Sequence, residues 1–258
     1  MKKFKDDFLL SVIIPVYKQE RTIKKDLLRI KKALDEAGWN YEVVIVVDGK
    51  IDKSFQRAKK IASLRLRVYG YKENQGKGYA IRFGMKKAKG DYIAFIDAGM
   101  EIDPLGLSML LQHLAWYDAD IIVGSKRHPV SHVDYPLQRK ILSWGYFTIV
   151  RILFGLKITD TQAGIKVFKK KVLEDILPVL LIKKYAFDIE MLAVAYAFGH
   201  KRIFDAPIKF EHQFGSLTSS ATLKTIYLML WDTMAVFYRL KILRYYQKKR
   251  PKRKSRRG

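Results

Sequence analysis

Through the first half of the chain, short apolar runs alternate with stretches whose apolar residues recur every three or four positions. That alternation is the signature of βαβ units and a mainly parallel sheet. LLSVIIPV at Leu9–Val16 reads as a buried strand stopped by Pro15 and Tyr17. Residues 22–37 follow as a helix with Ile23, Leu27, Ile30 and Leu34 on one face and Gly38 as its stop. YEVVIVVD at 41–48 is a second strand, a short basic helix spans about 53–63, and 66–69 is a third strand. A helix at 77–89 leads into DYIAFID at 91–97, a central strand, and a helix at 104–117 and a strand at 120–124 continue the alternation.

Beyond residue 124 the pattern changes. SKRHPVSHVDY at 125–135 is a polar loop, and 137–156 is a helix apolar on most sides with cations at Arg139, Lys140 and Arg151. TDTQAGIKVF at 159–168 is a turn entering a strand, 185–198 a helix and 201–212 a strand. Residues 222–246 form a last amphipathic helix, with Leu223, Ile226, Tyr227, Leu230, Met234, Phe237 and Tyr238 at helical spacing. A membrane span needs about 20 apolar residues. The apolar runs at 141–156 and 226–240 are shorter and carry Arg151, Asp232 and Arg239, so no transmembrane helix is expected. Residues 1–7 are polar and give no secretory signal, which predicts a cytoplasmic protein.

Composition sharpens this picture in one respect. Fifty Lys and Arg against 25 Asp and Glu give a formal charge of +25, an attraction to polyanions. The excess peaks at the end, where KKRPKRKSRRG at 248–258 holds eight cations in eleven residues and nothing to build a core, so it reads as a disordered tail. The division expected is a catalytic domain over 1–215, an amphipathic helix over 216–247 and the tail over 248–258. Absence of Cys removes disulfides and thiolate chemistry. A nucleic-acid-binding role has charge alone as its warrant, with no stacking-aromatic motif or recognition helix beside it.

Ligands of open α/β sheets bind beyond the carboxyl ends of strands, and three strands here end at Pro15-Val16-Tyr17, Val47-Asp48 and Ile96-Asp97. Asp97 is followed at i+4 by Glu101. Hard divalent cations such as Mg²⁺ or Mn²⁺ need only one or two such carboxylates when they share a substrate diphosphate. Taken alone, Asp97 reads as the cap of the following turn. Its surroundings change that reading.

The string Asn74-Gln75-Gly76-Lys77-Gly78, then Ala80, Arg82, Gly84, Ala88, Gly90-Asp91-Tyr92-Ile93 and Asp97-Ala98, resembles the stretch that family 2 glycosyltransferases place before their Asp-any-Asp motif. SVIIPVY at 11–17 and VVD at 46–48 resemble that family's first two strands. Asp160-Thr161-Gln162-Ala163-Gly164-Ile165-Lys166 and Phe187-Asp188-Ile189-Glu190-Met191-Leu192 are similar to motifs of the branch that uses polyprenyl-phosphate acceptors, the dolichyl-phosphate glucosyltransferases and mannose synthases.

The resemblance implies a GT-A fold, a Rossmann-like, mainly parallel sheet flanked by helices, with the amphipathic helices at 137–156 and 222–246 lying at a membrane interface. It implies transfer of a hexose from UDP-glucose or GDP-mannose to a polyprenyl phosphate, with inversion, and an Mg²⁺ or Mn²⁺ ion held by Asp97 and Glu101. Pro15, Tyr17, Gln19, Glu20, Val47 and Asp48 would hold the nucleoside, with Lys77, Asp97 and Ala98 at the diphosphate. Asp160 and Gln162 would line the sugar and acceptor site, and Arg127 and Arg139 would face the acceptor phosphate. Asp97, Asp160 and Arg139 are the expected catalytic set. A lipid phosphate needs no general base, whereas a hydroxyl acceptor would make Asp160, Asp188 or Glu190 candidates for one. The chain departs from the family pattern at Lys18-Gln19, at the shortened Asp48-Gly49-Lys50, at Gly99 in place of the second Asp, and at Leu217 in place of a cation. Those departures leave a catalytically degenerate scaffold as an alternative.

Overall fold

The computed structural model describes residues 7–99, 102–131, 137–209 and 223–251, with side chains at all of these except 137–143 and 223–224. The elements run β1 (Leu9–Val16), α1 (Ile23–Glu36), β2 (Asn40–Val47), α2 (Ser54–Lys59), β3 (Leu66–Gly70), α3 (Lys77–Lys87), β4 (Tyr92–Ile96), α4 (Gly106–Trp116) and β5 (Ile121–Ser125). They continue as α5 (Leu137–Phe154), β6 (Ile165–Lys169), α6 (Lys170–Ile176), α7 (Phe187–Ala197), β7 (Ile203–Pro207), α8 (Leu223–Phe237), a π turn (Tyr238–Ile242) and α9 (Tyr245–Lys248).

Seven strands form one sheet in the order β3-β2-β1-β4-β6-β5-β7. β1 pairs in parallel with β2 and β4, β2 with β3, and β5 with β7. Only β6 runs the other way, antiparallel to both β4 and β5. Helices cover both faces, which is why β2 is buried without interruption from Tyr41 to Val47 instead of alternating. α1 presents Ile23, Leu27, Ile30 and Leu34 to the core as its spacing predicts, each side chain worth about 1.5–3 kcal/mol on full burial. α7 is buried on every side from Phe187 to Ala195, so its two acids, Asp188 and Glu190, are carried inside with it.

The reversal of β6 positions the site. Ile165 at its start pairs with Ile96 at the end of β4. The DTQAG segment therefore enters at the carboxyl edge of the parallel strands, beside Asp97.

Several expected boundaries move. α6 was not expected, and the strand expected at 201–212 stops at Pro207, which has no amide to extend a ladder. α5 ends at Phe154. The continuous helix expected over 222–246 breaks after α8, widens into the π turn and passes through a left-handed Arg244 before α9. That break turns Tyr246 inward, where its hydroxyl donates to Glu190 Oε1 at 2.7 Å. Lys248, where the tail was expected to begin, lies in α9, and Arg250 donates to the Phe198 carbonyl at 2.8 Å and stacks over that ring. Residues 252–258 lie outside the described residues.

α5 and α8 pack together through a Tyr146–Thr233 hydroxyl contact of 2.8 Å and the Phe154–Phe237 rings. Their outer faces leave Trp144 and Ile152 on α5 and Tyr227, Trp231 and Met234 on α8 in the open, with Tyr238 of the π turn beside them. Among the described residues no helix is long and apolar enough to cross a membrane.

Candidate functional site

The parallel strands β1, β2 and β4 end side by side, with Val16 opposite Val47 and Ile13 opposite Phe95. Beyond their ends lies a cleft of about 370 Å³. Of the residues expected from sequence, it brings together Pro15, Tyr17, Gln19, Asp48, Lys77, Asp97 and Ala98. Val47 is wholly buried in the core, so only its backbone faces that edge. Glu20 sits instead in an adjoining, more open depression of about 640 Å³ that shares Gln19 with the cleft. Its carboxylate accepts the Lys53 amide at 3.0 Å.

Asp48 is almost fully enclosed, and its carboxylate already has four donors. Oδ1 accepts the Gln75 amide at 2.7 Å and the Tyr71 hydroxyl at 2.9 Å, and Oδ2 accepts the Gly76 amide at 2.9 Å and Asn74 Nδ2 at 3.1 Å. Burial and the Asp48 charge together push the Tyr71 phenol well above its usual range, which keeps it a donor. Asp48 thus ties down the loop that delivers Lys77. Gly76 is required there: its φ is 99°, and a Cβ would meet the Lys183 carbonyl at 2.6 Å. The segment around Lys183 lies across this loop, with the Tyr79 amide donating to the Lys183 carbonyl at 3.1 Å.

Asp97 follows β4, and its Oδ2 accepts from Lys77 Nζ at 2.6 Å. The two side chains are 37% and 41% exposed, so the pair faces the cleft and not the core. Asp97 Oδ1 is buried with no hydrogen-bond partner among the described residues. The carboxylate packs against Gly164, where a Cβ would stand 2.2 Å from Oδ2, and the Asp97 amide donates to the Gly164 carbonyl at 3.0 Å. The glycine of DTQAGIK is therefore the floor on which the Asp97 carboxylate rests.

A part-exposed carboxylate lining a cleft able to admit a diphosphate fits a hard divalent cation. Among the described residues no three acidic or histidine side chains form a metal cage. Glu101, the second expected ligand, lies outside the described residues.

The lysine of the same motif is structural. Lys166 is fully buried, donates to the Ala163 carbonyl at 2.7 Å and pairs with Asp188 at 2.5 Å. Burial raises the Asp188 carboxyl, opposed by the charges of Lys166 and Lys77. Glu190 accepts the Leu181 and Ile182 amides at 2.8 Å each, besides Tyr246. Burial raises its carboxyl, with the Tyr246 and backbone hydrogen bonds opposing. Both acids, candidates for a general base in the sequence, hold α7 to its neighbours instead. Asp232 on α8 acts similarly, accepting the Tyr185 and Ala186 amides at the entrance to α7.

On the far side of Asp97, β5 runs in the β4 direction and ends at Ser125, whose hydroxyl meets Thr159 Oγ1 at 2.7 Å. Arg127 follows, its guanidinium 5.5 Å from the Phe147 ring of α5. Asp160 accepts the Gln162 amide at 3.1 Å and the Lys126 amide at 3.3 Å. Gln162 itself is exposed and reaches Met229 of α8 at 3.0 Å, which joins the motif to that helix. Arg139 lies in the first turn of α5 with its side chain outside the described residues, as are residues 215–217 entirely. Asp205, an acid within IFDAP, is not among the residues expected from sequence. Burial raises its carboxyl against a 2.7 Å bond from the Thr159 amide, and Oδ1 has no partner among the described residues. The signal was a lone acid in a short apolar strand.

The chain is similar to the Dolichyl-phosphate beta-glucosyltransferase of Drosophila melanogaster, with 32% identity over 72% of this chain and 62% of that protein. The enzyme of that name from Dictyostelium discoideum is 29% identical over 74% of this chain and 63% of its own length. The chain thus spans somewhat less than two thirds of these relatives. Among solved structures, the glucosyl-3-phosphoglycerate synthase of Mycobacterium tuberculosis, in complex with Mn²⁺, UDP and glucosyl-3-phosphoglycerate, superposes with a TM-score of 0.66 over 90% of this chain and 79% of that one. At 18% identity this likeness shows a shared fold. The Glycosyl transferase family 2 profile matches residues 11–177, well over half of the chain, and with the strand-end cleft in place the chain belongs to glycosyl transferase family 2.

Proposed function

We propose that the chain moves a hexose, glucose first and mannose second, from a nucleotide diphosphate sugar to a polyprenyl phosphate at a membrane surface, inverting the anomeric centre. The contact between Gly164 and Asp97 carries this reading. It builds the motif of the polyprenyl-phosphate branch against the carboxylate of the donor cleft, so donor and acceptor segments depend on one another. The relatives named for dolichyl phosphate and glucose support the acceptor and the sugar. The solved neighbour with UDP and Mn²⁺ supports the donor type and the metal.

In this reading Pro15, Tyr17, Gln19, Glu20, Asp48 and the Val47 backbone frame the nucleoside, and Lys77 and Ala98 meet the diphosphate. Asp97, with Glu101, would hold Mg²⁺ or Mn²⁺. Bound there, the ion supplies positive charge to the departing diphosphate. Arg127 and Arg139 orient the acceptor phosphate, and Asp160 and Gln162 border the sugar. A phosphate oxygen attacks C1 from the face opposite the diphosphate. The new C1–O bond forms as the old one breaks, and the nucleoside diphosphate leaves with the electron pair. The acceptor is already ionised near neutrality, its second pKa being about 6, so no base is called for. That matches the commitment of Asp188 and Glu190 to structural bonds.

The outer faces of α5 and α8 would lie at the headgroup level, with Ile152 76% and Trp231 64% exposed. The basic tail would add about 1 kcal/mol per cation near an anionic surface. The deciding assay offers the purified protein radiolabelled UDP-glucose and GDP-mannose with a short polyprenyl phosphate, with and without Mn²⁺. Label in the lipid phase is expected from one donor. No lipid-soluble label from any donor would overturn the proposal.

A further inference from the structure

The Asp97–Lys77 pair occupies the position that a divalent cation would take. The ammonium is 2.6 Å from Oδ2, and Oδ1 has no hydrogen-bond partner among the described residues. Both side chains stand at the cleft surface, so the pair is accessible and not a core fixture. The surroundings hold alternating charges: the buried Asp188–Lys166 pair lies close enough for Asp188 to feel both Lys77 and Asp97. The Lys77 stem leaves from the first residue of α3, whose backbone is pinned by the Asp48 and Lys183 contacts of the preceding loop. Only the side chain is left to move.

We propose that Lys77 is a placeholder cation. In the empty protein it neutralises Asp97. When the nucleotide sugar enters, Lys77 leaves Asp97 to a divalent cation and turns its ammonium to the diphosphate. This inference rests on the donor site assigned above. A four-carbon stem with a compact ammonium suits such a move, because it has no planar geometry to preserve. The exchange makes metal and nucleotide binding interdependent. With no nucleotide present, a metal must displace Lys77 into water. With a diphosphate present, the displaced ammonium gains a partner of higher charge. Binding linkage is reciprocal, so each ligand then tightens the other.

Lys77→Met keeps the stem and removes the charge, which predicts effects of opposite sign on the two ligands. Mn²⁺ alone, titrated without nucleotide and followed by loss of the free-ion electron paramagnetic resonance signal, should bind the variant roughly tenfold more tightly than wild type. UDP, and GDP in a parallel arm, titrated calorimetrically at saturating Mn²⁺, should bind the variant roughly tenfold or more weakly for whichever nucleotide the wild type takes. Structural damage would weaken both, so a gain in metal affinity is diagnostic, and a thermal melt confirms that the variant is folded. Equal or weaker Mn²⁺ binding by the variant, or no detectable binding by either protein, overturns the exchange, as does unchanged nucleotide affinity. If neither nucleotide binds wild type, the donor assignment falls while the metal-only arm still decides whether Lys77 competes for Asp97.

Discussion

Replacing Gly164 with alanine tests the claim that the motif glycine seats the Asp97 carboxylate. The new Cβ would lie 2.2 Å from Oδ2 and 2.7 Å from Cγ. A relaxed carbon–oxygen contact is roughly 3.3 Å, so the carboxylate must retreat by about 1 Å. The backbone cannot yield instead without loosening the bond from the Asp97 amide to the Gly164 carbonyl. Because the carboxylate stands at the cleft and not in the core, the stability cost should sit near the low end for overpacking, about 1 kcal/mol. That corresponds to about 2–4 °C in Tm for a chain of this size. A misplacement of about 1 Å at a reacting centre costs on the order of 100-fold in rate. Gly164→Ala should therefore lose about two orders of magnitude in sugar transfer, and affinity for UDP with Mn²⁺, while melting within a few degrees of wild type. Gly145→Ala on α5, where a Cβ meets nothing within 4 Å, is the control and should keep full activity. A folded Gly164→Ala protein transferring sugar within twofold of wild type would refute the reasoning.

Lys166→Met leaves Asp188 buried without its cation and should cost about 3–5 kcal/mol in denaturant unfolding. It also removes the charge that holds the Asp188 carboxyl down. A raised folded-state pKa means that the native form binds the proton more tightly, so stability is retained below the unfolded value near 3.9 and lost as pH rises above it. The variant should accordingly recover part of its deficit as pH falls toward that unfolded value, and a deficit that grows on acidification counts against the pairing. Tyr246→Phe removes one donor to a buried carboxylate and should lower stability by about 1.5–3 kcal/mol, read as a Tm lower by several degrees. Trp231→Glu with Ile152→Glu should weaken flotation with anionic liposomes while leaving the melting curve unchanged, and undiminished flotation would remove α5 and α8 from the membrane contact.

The sheet was legible because its strands are continuous apolar runs separated by one-faced helices, and Leu9–Val16 and Ile23–Glu36 need no more than that pattern. The strand-end cleft was legible too, since parallel strands place Tyr17, Asp48 and Asp97 together once their ends are known. What pattern cannot carry is partnership at a distance. Nothing in the spacing of DTQAGIK separates a lysine facing solvent from Lys166, which is buried on Asp188, and α7 is so uniformly apolar that its acids give no hint of direction. The break after α8 was invisible for the same reason: the apolar spacing runs through it, and only the Tyr246–Glu190 bond explains the turn. The antiparallel entry of β6 depends on the route of the chain through α5, which local pattern does not encode.

The late closure onto α7 bears on how the protein is born. A ribosome delivers Tyr246 56 residues after Glu190, a delay of about 3–11 s at roughly 5–20 residues per second. Through that interval β1 to β4 have all emerged and are free to pair. Meanwhile the far flank of α7, with Glu190 lacking its phenol and Phe198 lacking its guanidinium, stays open to chaperones and proteases. Translation that stops short of residue 246 would leave the β1–β4 half assembled beside an apolar surface with no cover. Quality control can recognise that surface, so loss of the final turns should register as poor accumulation in cells before it registers as poor catalysis.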